Sequence, residues 1–485
     1  MNNKSEQKNS GTKQLFSDAA IYAFANILQR GMMLILLPIY ARYFTKSEFG
    51  AVDLLYQSIL ILILISSIGL PQGLPRGFYK ENVTEEDNKK LLGVLVIFIL
   101  PITLLFFFLV WIFSESISNI LFNSQGEKNW VQLGALLFVA MVLQQFPMQI
   151  LKAKKLVTQF SIWSIVTFIL VAGSNVYLIV FKEMGLPGML ISSIIGFGSV
   201  GVILTARLSA NIIINFEWER LKPLLAFGLP MLPALLFRKI IDVSDRYFIP
   251  QLHSMDTLGE YVMGVKIANI VEIVVLTPFL FAWQPFFYSI ANQTNAKEIF
   301  AKVTFYYFMI LSFVFLAIIV LAPHILNVIG NGEYSASETI VTILVLASLL
   351  NGIQYSISPG IHLGNKLAQE AVCMFVAAIV NIIFNLLLIP KYGGEGAAYA
   401  TLIAYGFYLV VTFLLANKYY PIKYPYRYII KNIILTSIFA IILYETEPFI
   451  LKVIVLMAYL LCGPFVFLYK RRELQWLLQF SQRKQ

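Results

Sequence analysis

Charge is scarce in this sequence. Asp, Glu, Lys and Arg together make up 13% of its 485 residues, against roughly 25% in a soluble domain. It also holds only two cysteines, Cys373 and Cys462, both in apolar segments, so it offers neither a disulfide framework nor a cysteine metal site. The three histidines, His253, His324 and His362, are scattered. No carboxylate pair sits on an outer loop, and neither a nucleophile elbow nor a Gly-rich phosphate loop is present, which argues against catalysis. Long loops are missing as well. The largest breaks between apolar segments are 76–90, 114–129, 207–220 and 417–427, too short for a separate domain or for the working loops of a membrane glycosyltransferase or polymerase. The ten-residue alternation of a transmembrane barrel does not occur. No basic-aromatic module supports binding to nucleic acid.

What the sequence does have is hydrophobic length: 59% of residues are hydrophobic, in runs that reach the ~20 residues of a spanning helix. The expected fold is an all-α integral membrane protein with about fourteen spans, near 15–41, 48–75, 91–113, 130–151, 156–181, 185–206, 221–245, 258–286, 303–323, 338–361, 367–389, 395–416, 428–444 and 449–469. The first fourteen residues are polar and lead into a long span, so no cleaved signal peptide is expected. With the N-terminus inside, twenty-five Lys and Arg fall in cytoplasmic breaks and seven (Arg42, Lys46, Lys128, Lys182, Arg246, Lys391 and Lys452) in outer ones. This is the positive-inside bias, and an odd number of spans would scramble it. Both termini are expected in the cytoplasm, in a bacterial cytoplasmic (inner) membrane.

The chain repeats itself at an offset near 210 residues. Arg42-Tyr43-Phe44 recurs as Arg246-Tyr247-Phe248, Phe49-Gly50 as Leu258-Gly259, Lys155-Leu156 as Lys366-Leu367, and Asn175 with Gly188 as Asn385 with Gly396. Pro75 to Tyr79 is echoed by Pro285 to Tyr288. The period covers six spans, so the halves share one orientation and are related by an axis along the membrane normal. Two six-helix lobes, 1–215 and 216–421, are expected, followed by two further helices and a basic cytoplasmic tail over 422–485.

Four basic residues, Arg30, Arg238, Lys239 and Lys266, fall inside spans. A basic group near the bilayer centre costs at least ~2.5–3.5 kcal/mol and therefore faces a cavity or a partner. Together they predict a cationic cavity that takes an anion. On span one, Asn26, Gln29 and Arg30 form a polar stripe at helical spacing, suited to the ligand or to interhelical bonds. On span seven, Arg238, Asp242 and Asp245 share a face with Lys239 alongside. An Arg238–Asp242 pair is expected there, while Asp245 and Arg246 are expected to cap or anchor the outer end. Pro230 and Pro233 interrupt this span, as a hinge or as tolerated kinks. On span eight, Glu272 is either a proton or sodium site or a charge partner of Arg30 or Lys266. Asp53 with Gln57 on span two reads as structural pairing. Arg76 is either a topology anchor or the group that first catches the anion from the inner leaflet. The stripes Asn351, Tyr355, Ser358, His362 and Gln145, Gln149 read as helix glue, with sugar binding as the alternative.

With Asn26-x-x-Gln-Arg30, Arg42-Tyr-Phe, Phe49-Gly50 and the break around Pro390, Gly394 and Gly396, the chain resembles the O-antigen and polysaccharide flippases, the lipid-linked oligosaccharide branch of the multidrug/oligosaccharidyl-lipid/polysaccharide exporter superfamily. The resemblance implies two lobes that open alternately inward and outward. It also implies a substrate of sugars on an isoprenoid diphosphate, which Arg30 can grip bidentately. Membrane lipid and other polysaccharide-assembly proteins are the further expected partners. No cofactor or metal is expected. The cycle is expected to draw on protons, sodium or the membrane potential, with Asp242, Glu272 and Asp53 as the carboxylates to consider. The rivals are a multidrug efflux antiporter, which would want an acidic cavity and usually twelve spans, and a membrane glycosyltransferase or polymerase.

Overall fold

In lipid every backbone N–H and C=O must be satisfied within the protein, and a helix does this within one segment. A computed structural model describes residues 34–78, 84–122, 128–209, 212–364 and 366–467, and these form helices with no strand. The helix starts are chemically marked. Thr45 and Thr84 each close a capping box, with Glu48 and Asp87 respectively, satisfying first-turn N–H groups.

The spans are α1 (Leu34–Tyr43), α2 (Lys46–Ser66), α3 (Glu85–Ile112), α4 (Lys128–Ala153), α5 (Val157–Phe181), α6 (Gly185–Leu208), α7 (Trp218–Leu252), α8 (Met255–Ile290), α9 (Ala296–Gly330), α10 (Ser337–His362), α11 (367–392), α12 (394–419), α13 (Tyr426–Glu445) and α14 (Phe449–Phe467). Eleven stretches are long and apolar enough to cross a membrane. One of them is two helices joined at Gly393, whose φ of 53° is left-handed, and α1 and α14 are shorter apolar helices. The described chain therefore carries fourteen apolar helices. It is a multi-pass membrane protein.

Two departures from regular helix have sequence causes, and a third lies in α8. The expected span 48–75 is broken: α2 stops at Ser66, Ile68 and Gly69 take positive φ, and a short helix Leu70–Phe78 follows. Gly69 belongs there because a Cβ would lie 2.3 Å from the Gly228 carbonyl oxygen. In α7, Pro230 and Pro233 flank a one-turn 3-10 segment, Leu229–Met231, between Trp218–Gly228 and Leu232–Leu252, since each proline removes an intrahelical donor. In α8, Glu272–Leu276 forms a π-helical turn, a feature that recurs at functional sites.

The repeat has a physical counterpart. Asn175 of α5 accepts a 3.1 Å bond from Tyr40 of α1. Its counterpart Asn385 of α11 donates at 3.2 Å to Ser244 of α7. Tyr40 and Ser244 each stand two residues before their Arg-Tyr-Phe triplet.

Two sets of helices are separately compact. The first comprises the chain up to Met263 together with Ala378–Ala397, the second Gly264–Ala377 with Ala398–Gln485. In the first, Leu70, Leu74, Leu92, Leu95 and Leu221 form a buried inner core. There α4 and α6 approach closely because Gly201 sits against the Gln144 backbone, where a Cβ would be 2.8 Å away. Small residues at such contacts drive helix association in lipid. In the second, Trp283, Phe287 and Phe300 build an aromatic core. Helices α13 and α14 dock on α9 there through Leu316, Val320, Leu443 and Tyr459. Asn432 donates to Ser312 at 2.7 Å and accepts from Tyr459 at 3.1 Å.

Candidate functional site

The polar residues of α2 and the C-terminal half of α7 meet in one seam. At its outer part the Arg246 guanidinium donates through Nε to Asp53 at 2.6 Å and lies 3.3 Å from Asp245 through Nη1. Arg246, Asp53 and Asp245 are 3%, 1% and 1% exposed. Arg246 also donates to the Asp242 carbonyl, and Tyr261 of α8 donates to Asp245. Further inward Tyr247 meets Ser58 at 2.8 Å, and the Lys239 ammonium donates to the Gln57 amide oxygen at 2.8 Å. Ser244 donates to Asn381 at 2.7 Å.

This arrangement corrects the expectation for the end of span seven. Arg246 is neither in an outer break nor an exposed anchor, and Asp245 does not cap a helix end. Helix α7 runs on to Leu252 through Pro250, and both side chains are inside the protein. A buried guanidinium is tolerable because two carboxylates and a carbonyl surround it. Arg246 is thereby committed to the protein. Lys239, by contrast, donates to a neutral amide. Arg238 is half-buried one position away, and the Asp242 side chain is exposed.

In the second unit Lys266 of α8 is 7% exposed, and Glu272 is half-buried at the start of the π turn. Asn26 and Arg30 lie outside the described residues, and Arg76 stands in the helix Leu70–Phe78. At the outer ends of α2 and α8, Lys46 pairs with Glu260 at 2.6 Å. Beside that pair Gly50 and Gly259 bring the backbones together: a Cβ on Gly259 would lie 2.0 Å from the Lys46 oxygen.

Two polar groupings escaped the sequence reading. Gln354 of α10, 2% exposed, donates to Glu370 at 3.0 Å and to Tyr408 at 3.2 Å. Glu370 in the first turn of α11 was the only available signal. Gln145 and Gln149, read as glue or as sugar-binding groups, line a cavity with Gln144 and Lys152. Gln144, four residues upstream of Met148 in an apolar run, gave no separate sign. Among the described residues no group of His, Cys, Asp or Glu is placed to hold a metal ion.

A sequence model of the family described as "Polysaccharide biosynthesis protein" matches residues 15–291. The chain is 21% identical over 423 residues to the probable low-salt glycan biosynthesis flippase Agl15 of Haloferax volcanii, covering 84% of each. Among solved structures it resembles the lipid II flippase MurJ in an inward closed conformation, with a TM-score of 0.74, 17% identity, and 92% of this chain and 98% of that one covered. It also resembles an inward-facing multidrug resistance MATE family transporter of the MOP superfamily, with a TM-score of 0.64, 14% identity, and 80% and 94% covered. At these identities the structural likenesses establish the fold.

Proposed function

As the chain belongs to the polysaccharide biosynthesis protein family, we propose that it is a flippase carrying an isoprenoid-diphosphate-linked oligosaccharide from the inner to the outer leaflet by alternating access. The observation that carries this reading is the cationic character of the membrane interior: Arg238 and Lys239 on α7, Lys266 on α8, and Arg30 in the first span. A diphosphate is the anion such groups suit, because it remains charged at neutral pH and offers several acceptor oxygens. The named relatives support the substrate class, since Agl15 is a probable glycan biosynthesis flippase and MurJ a lipid II flippase. The protein would sit in the cytoplasmic membrane with both termini inside, consistent with the distribution of Lys and Arg.

Within this reading Asn26, Arg30, Arg238, Lys239 and Lys266 hold the diphosphate and Arg76 receives it from the inner leaflet. Asp53 is held by Arg246, and the reading assigns the exchange of a proton or sodium to Asp242 and Glu272. The membrane potential also contributes, at ~2.3 kcal/mol per charge per 100 mV, and favours outward movement of an anion.

The test is a leaflet-specific assay. Proteoliposomes holding the purified protein and an isoprenoid-diphosphate-linked glycan are probed with a membrane-impermeant lectin. Protein-dependent appearance of glycan on the far leaflet is expected. Export of cationic dyes without glycan movement would transfer the chain to the multidrug reading, and new glycosidic bonds would make it an enzyme.

A further inference from the structure

A cavity of about 240 Å³ lies within the first unit, walled by α2, α4, α5 and α6. On this scale one water needs about 10–15 Å³, so the space is that of a small organic group. Its polar wall is the inner half of α4, where Gln144, Gln145, Gln149 and Lys152 follow one another at helical spacing. Gln144 is 6% exposed and its amide nitrogen has no hydrogen-bond partner. Buried amides are normally paired, so this donor marks a place where something polar is missing. Opposite, Ser164 and Thr167 of α5 donate their hydroxyl protons to the carbonyls of Phe160 and Trp163, each at 2.8 Å. The Thr167 oxygen keeps a lone pair with which to accept, and Ser164 lies one turn before it on the same wall.

The remaining wall is apolar, part aliphatic (Leu60, Met141 and Met148) and part aromatic (Tyr56 of α2, Phe160 and Phe168 of α5, and Phe197 of α6). Lys152 holds its ammonium 4.6 Å from the centre of the Phe160 ring. Among the described residues no carboxylate lines the space. A cationic guest would require one, and an acyl chain would leave the glutamine amides unpaired. A sugar meets all the conditions, because its hydroxyls both donate and accept and its C–H faces lie against aromatic rings.

We propose that this cavity is a sugar-binding subsite, which holds one sugar residue of the glycan through Gln144, Gln145, Gln149, Ser164 and Thr167. The proposal rests on the flippase reading above and adds to it where recognition of the glycan takes place, apart from recognition of the diphosphate.

The experiment uses the full chain in nanodiscs, native mass spectrometry and two probes: farnesyl diphosphate without sugar, and the lipid-linked glycan fraction from membranes of the organism that makes the protein. The wild-type protein is expected to prefer the glycan-bearing lipid at least ten-fold. The Gln145→Leu/Gln149→Leu protein is expected to lose that preference while binding farnesyl diphosphate as before. An undiminished preference in the double variant overturns the subsite and leaves the flippase reading intact. If the wild type binds neither probe, the flippase reading falls and the subsite with it. Should the double variant not fold, the Gln149→Cys protein in a Cys462→Ser background serves. Maleimide labelling of the introduced thiol is expected to slow at least five-fold with the glycan fraction and not with farnesyl diphosphate, and equal labelling with both overturns the proposal.

Discussion

Arg246 of α7 is bonded to Asp53 of α2, Nε to Oδ2 at 2.6 Å, across 193 positions of sequence and with both side chains almost wholly buried. The pair ties together two helices that belong to different copies of the repeat. In α2 it stands three residues from the Gly50 backbone contact and one turn from Gly50's neighbour Phe49, itself buried.

Breaking this pair from one side strands charge. Arg246→Gln leaves Asp53 and Asp245 in a buried site, and the expected loss is about 3–5 kcal/mol, read as a fall in the thermal unfolding midpoint of the detergent-purified protein. Adding Asp53→Asn to Arg246→Gln is expected to recover part of that loss, since the two sites couple. Additive losses would show that the two residues do not interact.

The contact between Gly50 and Gly259 leaves no room for a side chain. Gly259→Ala puts a methyl where the Lys46 carbonyl stands and is expected to hold the outer ends of α2 and α8 apart. A cysteine replacing Lys46 will then react faster with an impermeant thiol reagent applied from outside, by several-fold, than it does with Gly259 in place. Unchanged reactivity would mean that the backbones shift without opening.

The Lys46–Glu260 pair beside it is partly exposed, with side chains 29% and 24% accessible. Such pairs contribute ~0.2–1 kcal/mol. Glu260→Lys alone is expected to speed labelling at the outer end, and Lys46→Glu with Glu260→Lys to return it to the wild-type rate. Failure of the exchanged pair to restore the rate would assign the effect to shape and not to charge.

Removing a cation from the membrane interior is expected to stop glycan transport without unfolding the protein. Arg30→Ala and Lys266→Ala should each lower the proteoliposome signal at least ten-fold, with unfolding midpoints near that of the wild type. Arg30→Lys should also fall, because a point charge does not reproduce a bidentate contact. Normal transport by both alanine variants would remove the chemical basis of the anion site.

Helices α13 and α14 lie outside the repeat yet dock on α9. A polar cavity suits a glycan, but an isoprenoid tail must stay in lipid, and we propose that 428–469 form a groove beside which it runs. A photoreactive tail probe is expected to label Leu451 to Phe467 above other lipid-facing helices; even labelling would leave the pair a purely structural role. Asn432→Leu removes two interhelical hydrogen bonds and should loosen the docking by about 1.2 kcal/mol, at roughly 0.6 kcal/mol for each such bond in a membrane.

The class of protein and its fourteen apolar helices were legible from the chain alone. The break at Gly393 was visible in the Pro390 to Gly396 stretch, and span seven's irregularity in Pro230 and Pro233. These are local properties: whether ~20 residues partition into lipid depends on those residues and little else. Which polar groups would meet was not legible. Nothing near Arg246 marks it as Asp53's partner, and its place beside an outer break read as surface anchoring. Nothing in Gln145 and Gln149 separates helix glue from the wall of a cavity built by four helices. Only the tertiary structure decided these points. In a bilayer helices associate through close backbone approach and interhelical hydrogen bonds, and those depend on which faces are brought together from distant parts of the chain.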